Sequence, residues 1–371
     1  MGASGFEILI NTVKMLAIFL LMVQLVPILV WVERRGSAFI QNRFGPNRVG
    51  PLGLTQLLAD AVKFLFKEEF RPPKSIAVLY YAAPVLALIP GALAFAAIPL
   101  SAPFTLEYGG ETYNFLFQSY NLDAGIVFVL AVSSLGAYAL LFAGWGSGNK
   151  YSLMGALRAI AQMISYELAL GLSLVGILLI YGSFSFPEII EAQQGPMRFV
   201  ILGNQVVLNF LPNWGIFYQP LGFILFFAAT FAETNRAPFD LPEAEAELVA
   251  GYHTEYGGLK MLMFYIGEYG HMMVASALLV TFYFGGWDLP FGSDFLKESV
   301  SSSFAYSMVM FLVFLTKILF FLWVFVWVRW TLPRFRYDQL MDLGWKSMLP
   351  WALFNTVATA AIIVFFNSVG S

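Results

Sequence analysis

The chain has 371 residues, 59% of them hydrophobic and only 12% charged, with a formal net charge of -3. Such a composition excludes a soluble domain, because no polar stretch is long enough to bury a core of its own. It has no cysteine, which excludes iron–sulfur clusters, disulfides and thiolate chemistry, and its two histidines, His253 and His271, leave little for a haem or a metal centre.

Apolar runs long enough to cross a bilayer core of roughly 30 Å recur along the whole length, so the chain reads as an all-α polytopic membrane protein. It forms one transmembrane domain, 1–371, with short amphipathic helices in its loops. Eight spans are predicted, at 6–32, 76–99, 124–146, 155–183, 214–234, 258–284, 307–330 and 347–368. The first lacks the basic leader and small-residue cleavage site of a signal peptide and reads as a retained helix. The glycines of Gly144–Lys150 match a phosphate loop only superficially, since a spanning helix precedes them rather than a strand. No internal repeat stands out.

The connection after the first span holds LGLTQLLADAVKFLFKEEF, where Gln56, Asp60, Lys63 and Lys67 form one narrow polar stripe on a greasy helix. Asp60 and Lys63 are spaced to pair. Two readings stay open: an interfacial helix lying on headgroups, or a helix buried in protein and lining a polar cavity.

Two further features lie in the middle of the chain. Glu167 sits near the middle of the fourth span, and Glu268 near the middle of the sixth with His271 one turn on; Lys317 lies in the seventh. A charge inside a membrane is expensive, so each is neutral or paired and poised to change protonation, or else a static interhelical bond. Between the fifth and sixth spans, ETNRAPFDLPEAEAELVAGYHTEY (233–256) sets five Glu and one Asp against a single basic residue, Arg236. Asp240 with Pro242 and Glu243 suits a capping box, but capping leaves Glu233, Glu245, Glu247 and Glu255 without an account. Acids so placed point to handling of protons or cations.

Charge sets the topology. Fifteen of the 20 Lys and Arg fall in the connections 33–75, 147–154, 235–260 and 329–346, and only Arg198 and Lys297 in the opposite ones. The positive-inside rule makes the first set cytoplasmic, or stromal in a plastid, with both termini on the far side.

The stretches GPNRVGPLGLTQLLADAVKFLFKEE (45–69) and ETNRAPFDLPEAEAELVAGYHTEY (233–256) resemble the two signatures of the quinone-site membrane subunit of respiratory complex I. RWTLPRFRYDQLMDLGWK (329–346) resembles the same family's last cytoplasmic loop. The resemblance implies a subunit that docks on a hydrophilic arm and forms the membrane part of a quinone chamber, the quinone being reduced at a partner's cluster. It also implies an acidic trail, the E-channel, leading towards antiporter-like subunits. Carried over by motif, Glu33, Arg34, Arg43, Asp60, Lys63, Arg236, Phe239 and Asp240 match the chamber. Glu167, Glu233, Glu243, Glu245, Glu247, Glu255 and Glu268 match the trail. No metal or covalent cofactor is implied; the quinone is a substrate. Length, the acidic outer loop and QNRFGPNRVGPLG look most similar to the cyanobacterial and chloroplast branch, which implies plastoquinone, a ferredoxin donor and a thylakoid membrane. An ordinary bacterial inner-membrane enzyme with ubiquinone or menaquinone is the alternative within the family. Outside this reading stand a stand-alone proton or cation transporter, a membrane anchor of a related hydrogenase, and a purely structural docking subunit.

Overall fold

A computed structural model describes residues 3–108, 111–201, 204–240, 249–290, 296–297, 299–300 and 302–370. In chain order they form α1 (Ala3–Ile40), α2 (Gln56–Phe66), α3 (Ala77–Ala97), a hairpin of β1 (Phe104–Tyr108) and β2 (Glu111–Phe115), α4 (Gly125–Gly146) and α5 (Lys150–Tyr181). There follow α6 (Phe186–Ala192), a hairpin of β3 (Pro196–Ile201) and β4 (Asn204–Pro212), α7 (Gly215–Tyr218) and α8 (Pro220–Glu233). The last three are α9 (Gly258–Tyr283), α10 (Ser303–Thr331) and α11 (Tyr337–Phe366), the last with a π-helical stretch over Leu343–Met348.

Seven of these helices, α1, α3, α4, α5, α9, α10 and α11, are long and apolar enough to cross a membrane. The predicted span at 214–234 differs. Pro220 cannot donate a helical hydrogen bond and pushes the residue before it out of helical geometry, so the segment breaks at Gln219 (φ -131°, ψ 58°). What remains, α8, is 14 residues long, roughly 21 Å at 1.5 Å per residue. The side chain at the break is satisfied within the bundle: Gln219 donates to Thr359 Oγ1 at 2.6 Å and accepts from Asn355 at 2.8 Å.

Two other differences have local causes. α1 runs past the expected end at 32 to Ile40, continuing through Gly36 and Ser37, and the chain turns only at Asn42, which takes a positive φ of 52°. It therefore carries Glu33 and Arg34 on helix rather than loop. The two hairpins stand where only loops were expected; their runs of Val, Ile, Phe and Tyr suit strands, and β1 pairs Phe104 with Phe115 through to Tyr108 with Glu111.

α9 is the centre of the bundle, buried over most of its surface and packed on α1, α3, α8 and α10. Its contact with α3 is backbone to backbone. A Cβ at Gly267 would lie 2.4 Å from the Ala87 carbonyl oxygen, so only glycine permits this approach. α5 packs on α4, α8 and α11, which brings the interior acids of α5, α8 and α9 towards one region.

Candidate functional site

The site is built where α8 ends and the chain turns back towards α9. Thr234 closes the helix by donating to the Thr230 carbonyl at 2.9 Å, and Asn235 turns the chain at a φ of 49°. Gln162 of α5, fully buried, clamps the turn by donating to the Ala232 and Phe239 carbonyls, each at 2.8 Å. The clamped turn points Arg236 into the bundle rather than out of it.

Arg236 is the hub of a buried charge cluster. Its Nε lies 2.7 Å from Glu268 Oε1, an ion pair rather than an aligned hydrogen bond, and its Nη1 lies 3.4 Å from Glu33 Oε2. The guanidinium stands 4.3 Å from the ring centre of Tyr269, whose hydroxyl donates to Glu33 Oε2 at 2.6 Å. Arg329, at the end of α10, closes on the other oxygen of Glu33. The Arg236 side chain is only 5% exposed. Burial works against its charge, but Glu268, Tyr269 and Glu33 outweigh that and lift its pKa well above the usual arginine value. It is a permanent cation shared by two carboxylates from different helices.

Around this hub lie two further pairs. Arg34 reaches Asp60 of α2 at 2.5 Å, and Gln56 donates to the other oxygen of Asp60 at 3.0 Å. The expected Asp60–Lys63 pair is thus replaced by Asp60–Arg34, because the polar stripe turns Asp60 towards α1 and leaves Lys63 exposed. No residue of α2 is buried in this chain, and Leu58, Val62, Leu65 and Phe66 lie open on its outer side. The second pair joins Arg334 to Asp240 at 2.9 Å.

On the inner side the cluster opens on a cavity of about 40 Å³ lined by Glu233, Glu268 and His271 together with Thr234, Asn235 and Tyr252. That volume holds a water or two, judged against roughly 15 Å³ of such space per molecule. Gly136 makes room for the imidazole, since a Cβ there would lie 3.2 Å from His271 Nε2. Glu233 also lies within reach of the Ser133 hydroxyl and close enough to Glu167 for their charges to interact.

Not every expected residue joins this arrangement. Glu255 accepts from Asn149 at 2.7 Å, the residue that caps α5, and sits beside the stacked rings of Tyr80 and Tyr256. Arg43 bonds Gln41 on the surface at 2.7 Å. Phe239 is buried and packs edge-on to Tyr166 and against Phe335. Glu243, Glu245 and Glu247 lie outside the described residues. Conversely, Tyr269, Arg329, Arg334 and Gln162 were not singled out. Arg329 and Arg334 lie inside the third motif stretch, and Tyr269 directly follows Glu268, so adjacency was the signal available.

Fold and site together define a polytopic helical membrane protein that holds a buried arginine–carboxylate cluster at one end of its bundle. The family model described as NADH dehydrogenase matches residues 13–360. A protein of Bdellovibrio bacteriovorus named as the H-subunit of NADH-quinone oxidoreductase is 63% identical, with 98% of each chain covered. A Geobacter metallireducens protein named for the same component of that oxidoreductase is 44% identical over 97% of this chain and 98% of its own length. A Cytophaga hutchinsonii protein, likewise named, is 42% identical over 96% and 97%. The chain belongs to the NADH dehydrogenase family.

Proposed function

We propose that this chain is the subunit of a proton-pumping NADH–quinone oxidoreductase that forms the membrane wall of the quinone chamber and passes the charge change of quinone reduction into the membrane. Partner subunits carry the clusters that deliver electrons; this chain binds, positions and relays. The carrying observation is that one side chain, Arg236, touches both Glu33 at the mouth and Glu268 in the interior.

The step follows from charge balance. A quinone that takes up two electrons also needs two protons, so negative charge at the mouth is followed by proton uptake. Charge appearing near Glu33, Arg34 and Asp60 alters how strongly Arg236 and Arg329 are drawn to Glu33. Any movement of Arg236 away from Glu268 raises the proton affinity of Glu268, which shares a cavity with Glu233, and Glu233 interacts with Glu167. The acids titrate as a group. Glu243, Glu245 and Glu247 are assigned to the same relay on their motif.

Sidedness follows the basic connections: the Glu33–Arg236 end faces the cytoplasm, and with the broken 214–234 segment as an eighth crossing both termini face the opposite side. The identity to proteins named for NADH-quinone oxidoreductase supports NADH as the donor to the whole complex. The narrower reading, plastoquinone with ferredoxin in a thylakoid, rests on chain length, the outer loop and the wording of one motif, and is set aside in favour of a bacterial inner-membrane enzyme.

Glu167→Gln and Glu233→Gln test the relay. Each assembled complex should keep its subunits and lose about tenfold or more of coupled quinone reduction, equivalent to about 1.4 kcal/mol of barrier. Full coupled turnover in both would sink the relay. Ion flux through the isolated purified chain would instead favour a stand-alone transporter.

A further inference from the structure

At the end of α1 far from Glu33 lies a second site that the quinone reading does not use. Between Lys14 and Glu33 the helix runs from Met15 to Val32 with Gln24 its sole polar residue. At 1.5 Å per residue that apolar stretch is roughly 27 Å long, close to the thickness of a bilayer core. When Glu33 stands at one interface, Lys14 stands at the other, at the depth of lipid headgroups.

Two cavities, one apolar and one carrying most of the polar side chains of this end, meet at Lys14. One, of about 280 Å³, is apolar, walled by Ile10, Val13, Ala17, Phe104, Phe117 and Phe311. The other, of about 530 Å³, is mixed, with Glu7, Asn11, Asn114, Gln118, Ser119 and Asn121 in its wall beside apolar and aromatic side chains. Lys14 lies between them, 9% exposed. Its ammonium donates to the Leu116 carbonyl at 3.1 Å and stands 5.2 Å from the Phe115 ring centre. Among the described residues no carboxylate lies within ion-pair distance of it, so a buried cation keeps two N–H donors and no counter-charge.

Gln118 supplies the second observation. It is 3% exposed, lines the second cavity, and neither its amide nitrogen nor its amide oxygen has a hydrogen-bond partner among the described residues. The Ser119 hydroxyl beside it is equally without one. A folded protein does not leave so many donors dry without a ligand or water to meet them. Ammonium, amide N–H and hydroxyl together suit an oxyanion with several acceptor oxygens. A free anion would leave the adjoining apolar cavity empty, whereas a phospholipid fills both. Glu7, two helical turns before Lys14 and exposed, favours a head bearing an ammonium over a doubly anionic one.

We propose that Lys14, Gln118 and Ser119 hold the phosphodiester of an ethanolamine phospholipid at this end of the bundle, with one acyl chain lying in the apolar cavity beside Phe104 and Phe311. The lipid would seal α1 to the β1–β2 hairpin and to the start of α10.

The whole complex, purified and stripped of lipid by detergent, is titrated with nanodiscs of phosphatidylethanolamine, phosphatidylglycerol or phosphatidylcholine, and with inorganic phosphate as competitor. Wild type is expected to recover one tightly held phosphatidylethanolamine per complex, measured by mass spectrometry. Lys14→Met and Gln118→Leu should each weaken that binding by about tenfold or more, and Lys14→Arg should largely restore it. Equal retention in Lys14→Met and Gln118→Leu would overturn the site. So would displacement by millimolar phosphate, which marks a plain anion site. A photoreactive benzoylphenylalanine at Phe117 tests the same point where the Lys14 variant fails to assemble. Crosslinks to phospholipid support the proposal, and crosslinks to a neighbouring protein chain, or to nothing, overturn it.

Discussion

At the scale of single residues, Arg236 sets what the cluster can do. A buried lysine readily loses its proton, whereas a guanidinium held above its usual pKa by Glu268 and Glu33 does not. A cation whose folded pKa is raised contributes stability below its unfolded pKa and loses it only as the pH passes the folded value. For Arg236 that lies beyond the working range, so its charge is constant there. Arg236→Lys is expected to introduce an alkaline limb into the pH profile of quinone reduction that wild type lacks, because a single ammonium reaches only one of the two carboxylates and burial then lowers its pKa. The check is the rate of the assembled complex from about pH 6 to 10, set against the ordinary lysine value near 10.4. Profiles of the same shape would mean that Arg236 only fills space. A methionine there is a poorer test, since two buried carboxylates would lose a partner at a cost of about 3–5 kcal/mol.

At the scale of elements, two charged residues are engaged in bonds that tie segments of the bundle together. Lys317, which from sequence alone was one more intramembrane charge, donates to the carbonyls of Phe284, Gly286 and Asp288 at 2.7, 2.9 and 2.5 Å, just beyond the end of α9. It is a C-terminal cap for α9 supplied by α10, with Trp214 stacked 4.8 Å away. Lys317→Met should strand three carbonyls, lower the yield of assembled complex on native gels, and leave turnover per assembled complex near wild type. The loss is of the order of 3 kcal/mol, taking about 1.5–3 kcal/mol per bond to a charged group with partial relaxation. Glu255 is the second case. Because an amide oxygen can still accept from Asn149, Glu255→Gln should leave coupled quinone reduction within about twofold of wild type, a difference under about 0.5 kcal/mol. A large loss would return Glu255 to the relay. Patterning made the apolar spans and the interior acids legible, since both are written in composition and in 3.6-residue spacing. The break at Gln219 was legible only in Pro220, which an apolar window overlooks. Partners such as Gln162 on the Ala232 carbonyl or Lys317 on Gly286 were not legible, because they join residues far apart in the chain.

At the scale of the whole molecule, the cluster joins helices from both ends of the sequence: Glu33 from α1, Arg236 after α8, Glu268 and Tyr269 from α9, Arg329 from α10. If charge passes from mouth to interior through a shared guanidinium, Glu33 and Glu268 must be energetically linked although no contact between them is needed. Glu33→Gln and Glu268→Gln remove one claim each on Arg236, and the double variant removes both. After either single change the remaining carboxylate holds Arg236 alone, so the second change has a different effect from the one it has in wild type. The rates of the four forms give the coupling directly, expected at about 1–2 kcal/mol, a factor of roughly five to thirty in rate. Repeating the cycle with Arg236→Lys should reduce that coupling, because a single ammonium cannot address two carboxylates through separate nitrogens as the guanidinium does. Effects additive to within about 0.5 kcal/mol in the arginine form would mean that mouth and interior act independently, and that the relay starts deeper, at the cavity between Glu268, His271 and Glu233.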